Sequence, residues 1–370
     1  MKHTRMMILA FLILGLATAV QAELATEYDI YGGWKKLQGK KTGFFHTEKI
    51  SGKWWIVSPE GNAFFSKGVT SVHPPGKDSF SGQGAGQAVE WLKSWGMNTA
   101  GCWSDPVLAG MKMVVTVRPK TTVAGNKEFP DVFDPEWKVA VEKNALKECS
   151  PFRNDPWILG YFTDNERPWK HDDEAGEFLK MFLEMPSSSC GHKEALKASK
   201  AGKAAIEAFR DKAAEIYFKT TAQAFRKADP NHMILGCRFA GKPPLRVVKK
   251  MKGCADVISL NNYMEKPPSG LIREMSQAAD LPVMITEFSF KGPASGLEQD
   301  GSGPEKSSQG ERARGYENYV RALLQLDCCV GYHWFKWGET WQGVLQASGE
   351  PFPELTQAFQ ELNRKIETTR

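Results

Sequence analysis

The chain has 370 residues, 41% of them hydrophobic and 25% charged, with a formal net charge of +5 at neutral pH. That balance excludes a disordered chain, and the length allows one large domain or two ordinary ones. The charge is too small, and the basic residues too dispersed, for a nucleic-acid surface, so no nucleic acid is expected as a partner.

Residues 1–22 read as a processing segment. Lys2 and Arg5 precede the apolar run from Met6 to Leu16, and Val20 and Ala22 are the small residues before a cleavage point. The run is shorter than the ~20 residues of a membrane span, and no cysteine stands near the cleavage point to carry a lipid. The expectation is a secreted or periplasmic protein without a membrane anchor, cleaved near Ala22, whose residues 23–370 form one domain. Loss of Lys2 and Arg5 lowers the formal charge from +5 to +3. The seven cysteines have no C-x-x-C spacing, which argues against zinc or thioredoxin-like chemistry. An exported chain permits disulfides, and Cys149–Cys190 is one conceivable pairing around the segment after Glu166.

In chain order, Thr42–Asn62 reads as a β-hairpin, with Trp54, Trp55 and Ile56 leading into a Pro-Glu-Gly-Asn turn. Eight strand-like runs follow: Ala63–Val69, Met97–Trp103, Lys112–Val117, Trp157–Thr163, His232–Phe239, Val257–Tyr263, Pro282–Phe288 and Val330–Phe335. Helical stretches lie between most of them, at Gly86–Gly96, over a long run ending at Pro230, at Ser269–Ala279 and at Gln309–Leu326. Strands alternating with helices predict a parallel sheet. Eight such units in this length predict an α/β fold of the (β/α)8 TIM-barrel type, with an open doubly wound sheet as the competing layout. The hairpin would plug the bottom of the barrel. Long segments after strands four (from Glu166) and seven (Lys291–Gln309) would sit at the functional end, where long loops often serve as lids. The Gly-rich Ser81–Gln87 lacks the spacing of a dinucleotide fingerprint.

Chemistry gathers at the strand ends. Strand four ends in Asp164, Asn165 and Glu166, strand six in Asn261, Asn262 and Tyr263, strand seven in Thr286 and Glu287, and strand eight in His333 and Trp334. Polar residues at the C-terminal ends of barrel strands converge on one pocket. Glu166 and Glu287, from strands four and seven, would face each other across its mouth. A carboxyl pair of that kind suits glycosidic bond cleavage, one protonating the leaving oxygen while the other attacks the anomeric carbon.

These strand ends resemble the retaining glycoside hydrolases of clan A. More narrowly, "WWIVSPEGNAFFSKGV", "GMNTAGCWSD", "FPDVFDPEW", "ILGYFTDNERPW", "DPNHMILGCRFAG", "DVISLNNY", "MITEFSF" and "GYHWFKW", spread from Lys53 to Trp337, resemble the catalytic domain of family 50 β-agarases. The resemblance implies a secreted enzyme of polysaccharide degradation that needs no metal or other cofactor. It implies Glu166 as general acid/base and Glu287 as nucleophile. Asn165 would bond the sugar 2-hydroxyl, Tyr263 would hold the nucleophile, and Trp334 would form a platform under the reacting sugar. Agarases of that family usually carry a large N-terminal β-rich domain, whereas little more than a hairpin precedes the first strand here. The residues leave open another clan A enzyme, a β-galactosidase, β-glucanase or mannanase-like protein, and also a non-catalytic carbohydrate-binding barrel.

The supporting residues each carry two readings. Trp103, Trp169, Trp337 and Trp341 stack on sugar rings or pack the core. Asp105 and Asp164 bind hydroxyls or cap the next helix. Arg238 binds a hydroxyl, holds Glu287 ionised, or forms a surface ion pair. Asn262 stands beside Tyr263 as a further substrate contact. His73 and His333 are substrate contacts or satisfied structural histidines. The acids of His171–Glu174 fit a helix first turn better than a metal site.

Overall fold

The structure, a computed structural model, describes residues 27–74, 76–77, 79–80, 84–120, 129–171, 174–338 and 340–370. The expected processing segment, Ser81–Gln83 of the Gly-rich stretch, and Asp172 and Asp173 lie outside them.

Four short strands come first: β1 (Trp34–Gln38), β2 (His46–Ile50), β3 (Lys53–Val57) and β4 (Asn62–Phe64). They form an antiparallel sheet in the order β1-β4-β3-β2, so the expected hairpin is its β2–β3 arm. The expected first strand of the repeat splits between sheets. Asn62–Phe64 stays in this one, and β5 (Ser66–Val69) opens the parallel sheet. The remaining strands are β6 (Thr99–Ala100), β7 (Val114–Val117), β8 (Ile158–Phe162), β9 (Met233–Gly236), β10 (Phe239–Ala240), β11 (Ile258–Asn261), β12 (Val283–Phe288) and β13 (Cys329–Trp334).

The parallel sheet has nine strands, in the order β10-β11-β12-β13-β5-β6-β7-β8-β9. One more strand than expected appears because the run His232–Phe239 is broken. Gly236 sits at φ 87 and Arg238 at φ 51, both left-handed. A Cβ on Gly236 would lie 2.9 Å from the Met251 side chain and 3.0 Å from the Val257 carbonyl oxygen, so the bend needs glycine there. β9 then pairs with β8, β10 pairs with β11, and the ladder stays open between the two halves. Asp256 laces the gap: its amide donates to the Ile234 carbonyl at 2.9 Å, and its carboxylate accepts from the Ile234 amide at 2.7 Å.

Alternation along the strands separates two cores. Leu159, Val257, Met284 and Val330 face inward and pack with Ile56 and Phe64 of the antiparallel sheet and with Phe45, which precedes β2. Ile158, Ile258, Ile285 and Tyr332 face outward into the helix layer; Val330 and Tyr332, two residues apart, fall on opposite faces because the β12–β13 register shifts between Cys329 and Gly331. The small sheet therefore closes the interior from the strands' N-terminal side, leaving their C-terminal ends to carry polar groups.

Ten helices appear among the described residues. α1 (Ala85–Ser94), α5 (Lys203–Ala228), α7 (Ser269–Ala279) and α8 (Gln309–Leu324) match expected stretches. α3 (Ala175–Leu183) and α4 (Cys190–Lys200) lie in the long segment after strand four. α2 (Pro135–Cys149), α6 (Leu245–Lys249), α9 (Pro353–Asn363) and α10 (Ile366–Thr369) complete the set. Local chemistry fixes the starts: Asp134 caps α2 ahead of Pro135, and at α8 Ser308 Oγ accepts from the Glu311 amide while the Glu311 carboxylate accepts from the Ser307 amide.

The C-terminal end docks under β5 through a buried ion pair. Lys67 Nζ donates to Glu367 Oε1 at 2.6 Å, with both side chains almost fully excluded from water. Tyr28 donates to the other Glu367 oxygen at 3.0 Å. Removing one partner strands a buried charge. Lys67→Met should therefore lower unfolding stability by ~3–5 kcal/mol in urea titration, and the double variant Lys67→Met/Glu367→Gln should recover most of the loss.

Candidate functional site

The C-terminal ends of the parallel strands open into a cavity of about 1370 Å³. Its lining includes Trp103, Asn165, Glu166, Asn261, Asn262, Tyr263, Glu287 and Phe335. Glu166 and Glu287, expected from strands four and seven, thus share one cavity.

After β8 the chain turns sharply. The Asp164 carboxylate forms a fully buried ion pair with Arg167, Nε to Oδ2 at 2.6 Å, and accepts from Tyr217 Oη at 3.2 Å and from the Asn165 amide at 2.9 Å. Asp164 does not line the cavity. It closes the turn that presents Asn165 and Glu166. Glu166 is left-handed at φ 52, and its amide donates to the Arg238 carbonyl at 3.0 Å. A non-glycine residue persists in that conformation where its surroundings over-determine it. Asn261 Nδ2 donates to Glu166 Oε1 at 2.8 Å, and Asn261 Oδ1 accepts from Thr286 at 2.7 Å.

Glu287 is 5% exposed and held by two donors, Arg238 Nη2 and Tyr263 Oη at 2.5 Å. Burial raises its carboxyl above the ordinary range, Arg238 and Tyr263 oppose that rise, and the nearby Glu166 carboxylate adds to it. Arg238 is fully buried. Its Nε donates to Asn165 Oδ1 at 2.8 Å and its amide to Ser259 Oγ at 2.8 Å. It is no surface ion pair: one guanidinium orients both the Asn165 amide and Glu287. Asn262 lines the cavity and accepts from Tyr319 Oη at 3.0 Å.

Besides Asp164, two expected contacts lie elsewhere. Trp334 is fully buried in the helix layer, its Nε1 donating to the Gln342 carbonyl at 2.9 Å and its rings against Phe288 and Phe359. Phe335 and Lys336 line the cavity in its place. The cause is strand alternation: His333 points inward, so Trp334 must point outward. His333 lies below the cavity floor, against Gly68 and Gly101, where a Cβ would meet its ring at 2.6 and 2.9 Å. Its Nε2 bonds Ser66 Oγ at 2.9 Å. Trp169 and Trp337 are core residues, stacked on Phe218 and packed against Trp95, and Trp341 packs against the same core. Asp105 caps the 3-10 turn Pro106–Met111 through the Val107 amide. His73 bonds the Pro74 carbonyl. His171 Nδ1 bonds the Lys242 carbonyl at 2.8 Å. All seven cysteines are free thiols, Cys149 and Cys190 included.

Sequence reading did not select Asn261, Phe335, Lys336, Gln342 or the segment 300–302, all of which line the cavity. Asn261 had a visible signal as the last inward position of β11, one residue before the chosen Asn262. The others come from loops, and their approach depends on tertiary bonds: Gln342 Nε2 donates to Ser289 Oγ at 2.7 Å and to the Ser302 carbonyl.

No known family model matches the chain. It is similar to beta-agarase B of Vibrio sp. strain JT0107, at 26% identity over 91% of this chain and 50% of the relative. It is also similar to beta-agarase A of the same organism, at 23% identity over 84% of this chain and 44% of the relative. The chain therefore spans about half the length of the curated relatives it matches. Among solved structures, BpGH50 superposes with a TM-score of 0.82 at 24% identity, covering 94% of this chain and 88% of that one. This structural likeness shows the fold.

Burial pushes His333 down to about 3 from an ordinary 6.5, so the folded state keeps it neutral while the unfolded chain protonates it. Its contribution to stability is complete above pH 6.5 and is lost as the pH falls toward 3. The slope it adds is about 1.4 kcal/mol per pH unit. His333→Gln should flatten the fall in urea midpoint between neutral pH and pH 4.5 relative to wild type.

Proposed function

We propose that the chain is a retaining glycoside hydrolase of clan A that cleaves β-glycosidic bonds in agarose or its oligosaccharides. The observation that carries this reading is the pair Glu166 and Glu287 on one cavity, each held by its own donors. The similarity to two beta-agarases supports the substrate class. The parallel sheet is read as a (β/α)8 barrel with its seam inside the broken fifth strand, where Asp256 laces β9 to the start of β11. Residues 1–22 are read as an export signal cleaved near Ala22, leaving residues 23–370 as one catalytic domain.

In the first step a Glu287 oxygen attacks the anomeric carbon as the glycosidic C–O bond breaks, and Glu166 gives its proton to the leaving oxygen. In the second, Glu166 takes a proton from water, whose oxygen displaces Glu287 from the same carbon. Glu287 must be ionised to attack, and Arg238 and Tyr263 favour that form against the penalty of burial. Arg238 occupies the Asn165 carbonyl oxygen, leaving the Asn165 NH2 group to donate to a sugar hydroxyl, a bond that strengthens toward the transition state.

The test is product analysis by mass spectrometry after incubation with agarose, neoagaro-oligosaccharides and other β-linked glycans. Wild type should release short neoagaro products, and Glu287→Ala should release none while keeping its circular dichroism spectrum. Glu166→Ala should lose turnover of substrates with poor leaving groups by about 100-fold or more, and with an activated aryl glycoside, whose leaving group needs no proton, azide should restore turnover and yield a glycosyl azide of retained configuration. Products from another glycan alone would discard the agarase assignment. Full turnover by Glu287→Ala would discard the nucleophile.

A further inference from the structure

The last ladder step between β11 and β12 is irregular. Leu260 pairs with Ile285, but Asn261 pairs with Glu287, so Thr286 is an extra residue on its strand. A bulge of this kind re-aims side chains that regular alternation would place elsewhere. Here it lets two successive residues serve the site. Thr286 Oγ1 donates to Asn261 Oδ1 at 2.7 Å, and Glu287 lines the cavity.

Asn261 is 2% exposed and Thr286 is fully buried. With Oδ1 taken by Thr286, the other end of the Asn261 amide donates from Nδ2 to Glu166 Oε1 at 2.8 Å. An amide has one accepting end and one donating end. Turned over, it would set Oδ1 against Oε1, two acceptors in contact unless a proton lay between them. The Thr286 hydroxyl, a donor to Oδ1, opposes that turn. A protonated carboxyl oxygen is a poor acceptor, so a proton on Oε1 would weaken the bond from Asn261. Among the described residues Oε2 has no hydrogen-bond partner, and the half-buried Glu166 side chain borders the cavity.

We propose that Asn261 is a positioning residue that keeps the acid proton of Glu166 on Oε2, and that Thr286 fixes the Asn261 amide in the orientation that does so. The role in turnover rests on the glycosidase reading above; the orientation of the amide does not. The charged and titratable groups facing Glu166 are Glu287, Arg238 and Tyr263. Proton placement makes Asn261→Asp more informative than deletion. It turns the donor facing Oε1 into an acceptor and draws the proton onto Oε1, away from the leaving oxygen. Asn261→Ala only removes the preference.

The test has two arms. The first follows the side-chain NH2 of Asn261 in 15N-labelled protein, assigned by its loss in Asn261→Ala. One of its two protons should lie downfield of the other, and that separation should shrink in Glu166→Gln, where a neutral acceptor replaces the carboxylate. A separation that ignores Glu166→Gln overturns the proposal. This arm needs no substrate and therefore decides even if the glycosidase reading fails. The second arm takes the ratio of kcat/KM on an activated aryl glycoside, whose leaving group needs no proton, to kcat/KM on an oligosaccharide. The ratio should rise about tenfold in Asn261→Ala and further in Asn261→Asp. It should rise in Thr286→Val and stay near the wild-type value in Thr286→Ser. In the Glu166→Ala background Asn261→Ala should add little, because it acts through Glu166. A merely structural role would lower both kcat/KM values together, and a ratio that stays put overturns the positioning role. A ratio no higher in Asn261→Asp than in Asn261→Ala overturns the placement of the proton.

Discussion

The arrangement of the site depends on one buried cation. Arg238 has lost all contact with water, which is costly for a guanidinium unless its partners are well placed. It meets that cost by bonding Glu287 through Nη2 and Asn165 through Nε, while the Phe162 ring lies 4.9 Å from its charge. To deliver it there, the chain leaves the sheet at Gly236 and re-enters at Phe239. The break in the ladder and the assembly of the two carboxyl-bearing strand ends are therefore one event. A continuous fifth strand would keep regular alternation through residue 238 and would give up the left-handed bend that aims its side chain.

The same residue links the two proposed catalytic carboxyls through the backbone. Its carbonyl accepts from the Glu166 amide, and its side chain donates to Glu287. Asn261 and Thr286 add a second path, from the end of β12 back to Glu166. Each carboxyl is positioned by groups that also touch the other's support. Preorganisation of this kind fixes geometry before substrate arrives, which is where electrostatic stabilisation of a transition state gains most.

Much of this was legible in the sequence because strand ends advertise themselves: a buried apolar run that stops in Asp164, Asn165 and Glu166 has few structural explanations. The eight expected runs all appear as strand, and Ser269–Ala279 is a helix with those bounds. What failed was phase. At β13 an adjacent His-Trp pair offers two polar-capable rings, and only alternation decides which enters the interior; the ring chosen as the platform, Trp334, faces the helices. At β11 the same ambiguity hid Asn261 behind Asn262. The loop residues were illegible for a different reason. Gln342 and the segment 300–302 are brought together by contacts between segments tens of residues apart, and no local pattern encodes them.

Those loops also revise the expectation of a lid after strand seven. The segment from Phe290 onward is tied to the one after β13 by Arg312, whose fully buried guanidinium donates to the carbonyls of Phe290 at 3.0 Å, Gln342 at 3.0 Å and Gly343 at 2.9 Å. Among the described residues no carboxylate pairs with it, and burial pushes it down to about 9 from an ordinary 12.5. A buried cation held by carbonyls loses hydrogen bonds when one loop is released, which is costly in an apolar layer. Gln342 repeats the device by bonding Ser289 and the Ser302 carbonyl, and a Cβ on Gly301 would collide with the Gln342 side chain at 1.9 Å. The loop that carries Asp300 and Ser302 to the cavity is thus fastened at both ends of its arc. It acts as a wall, and the cavity it borders is shaped by the fold before anything binds.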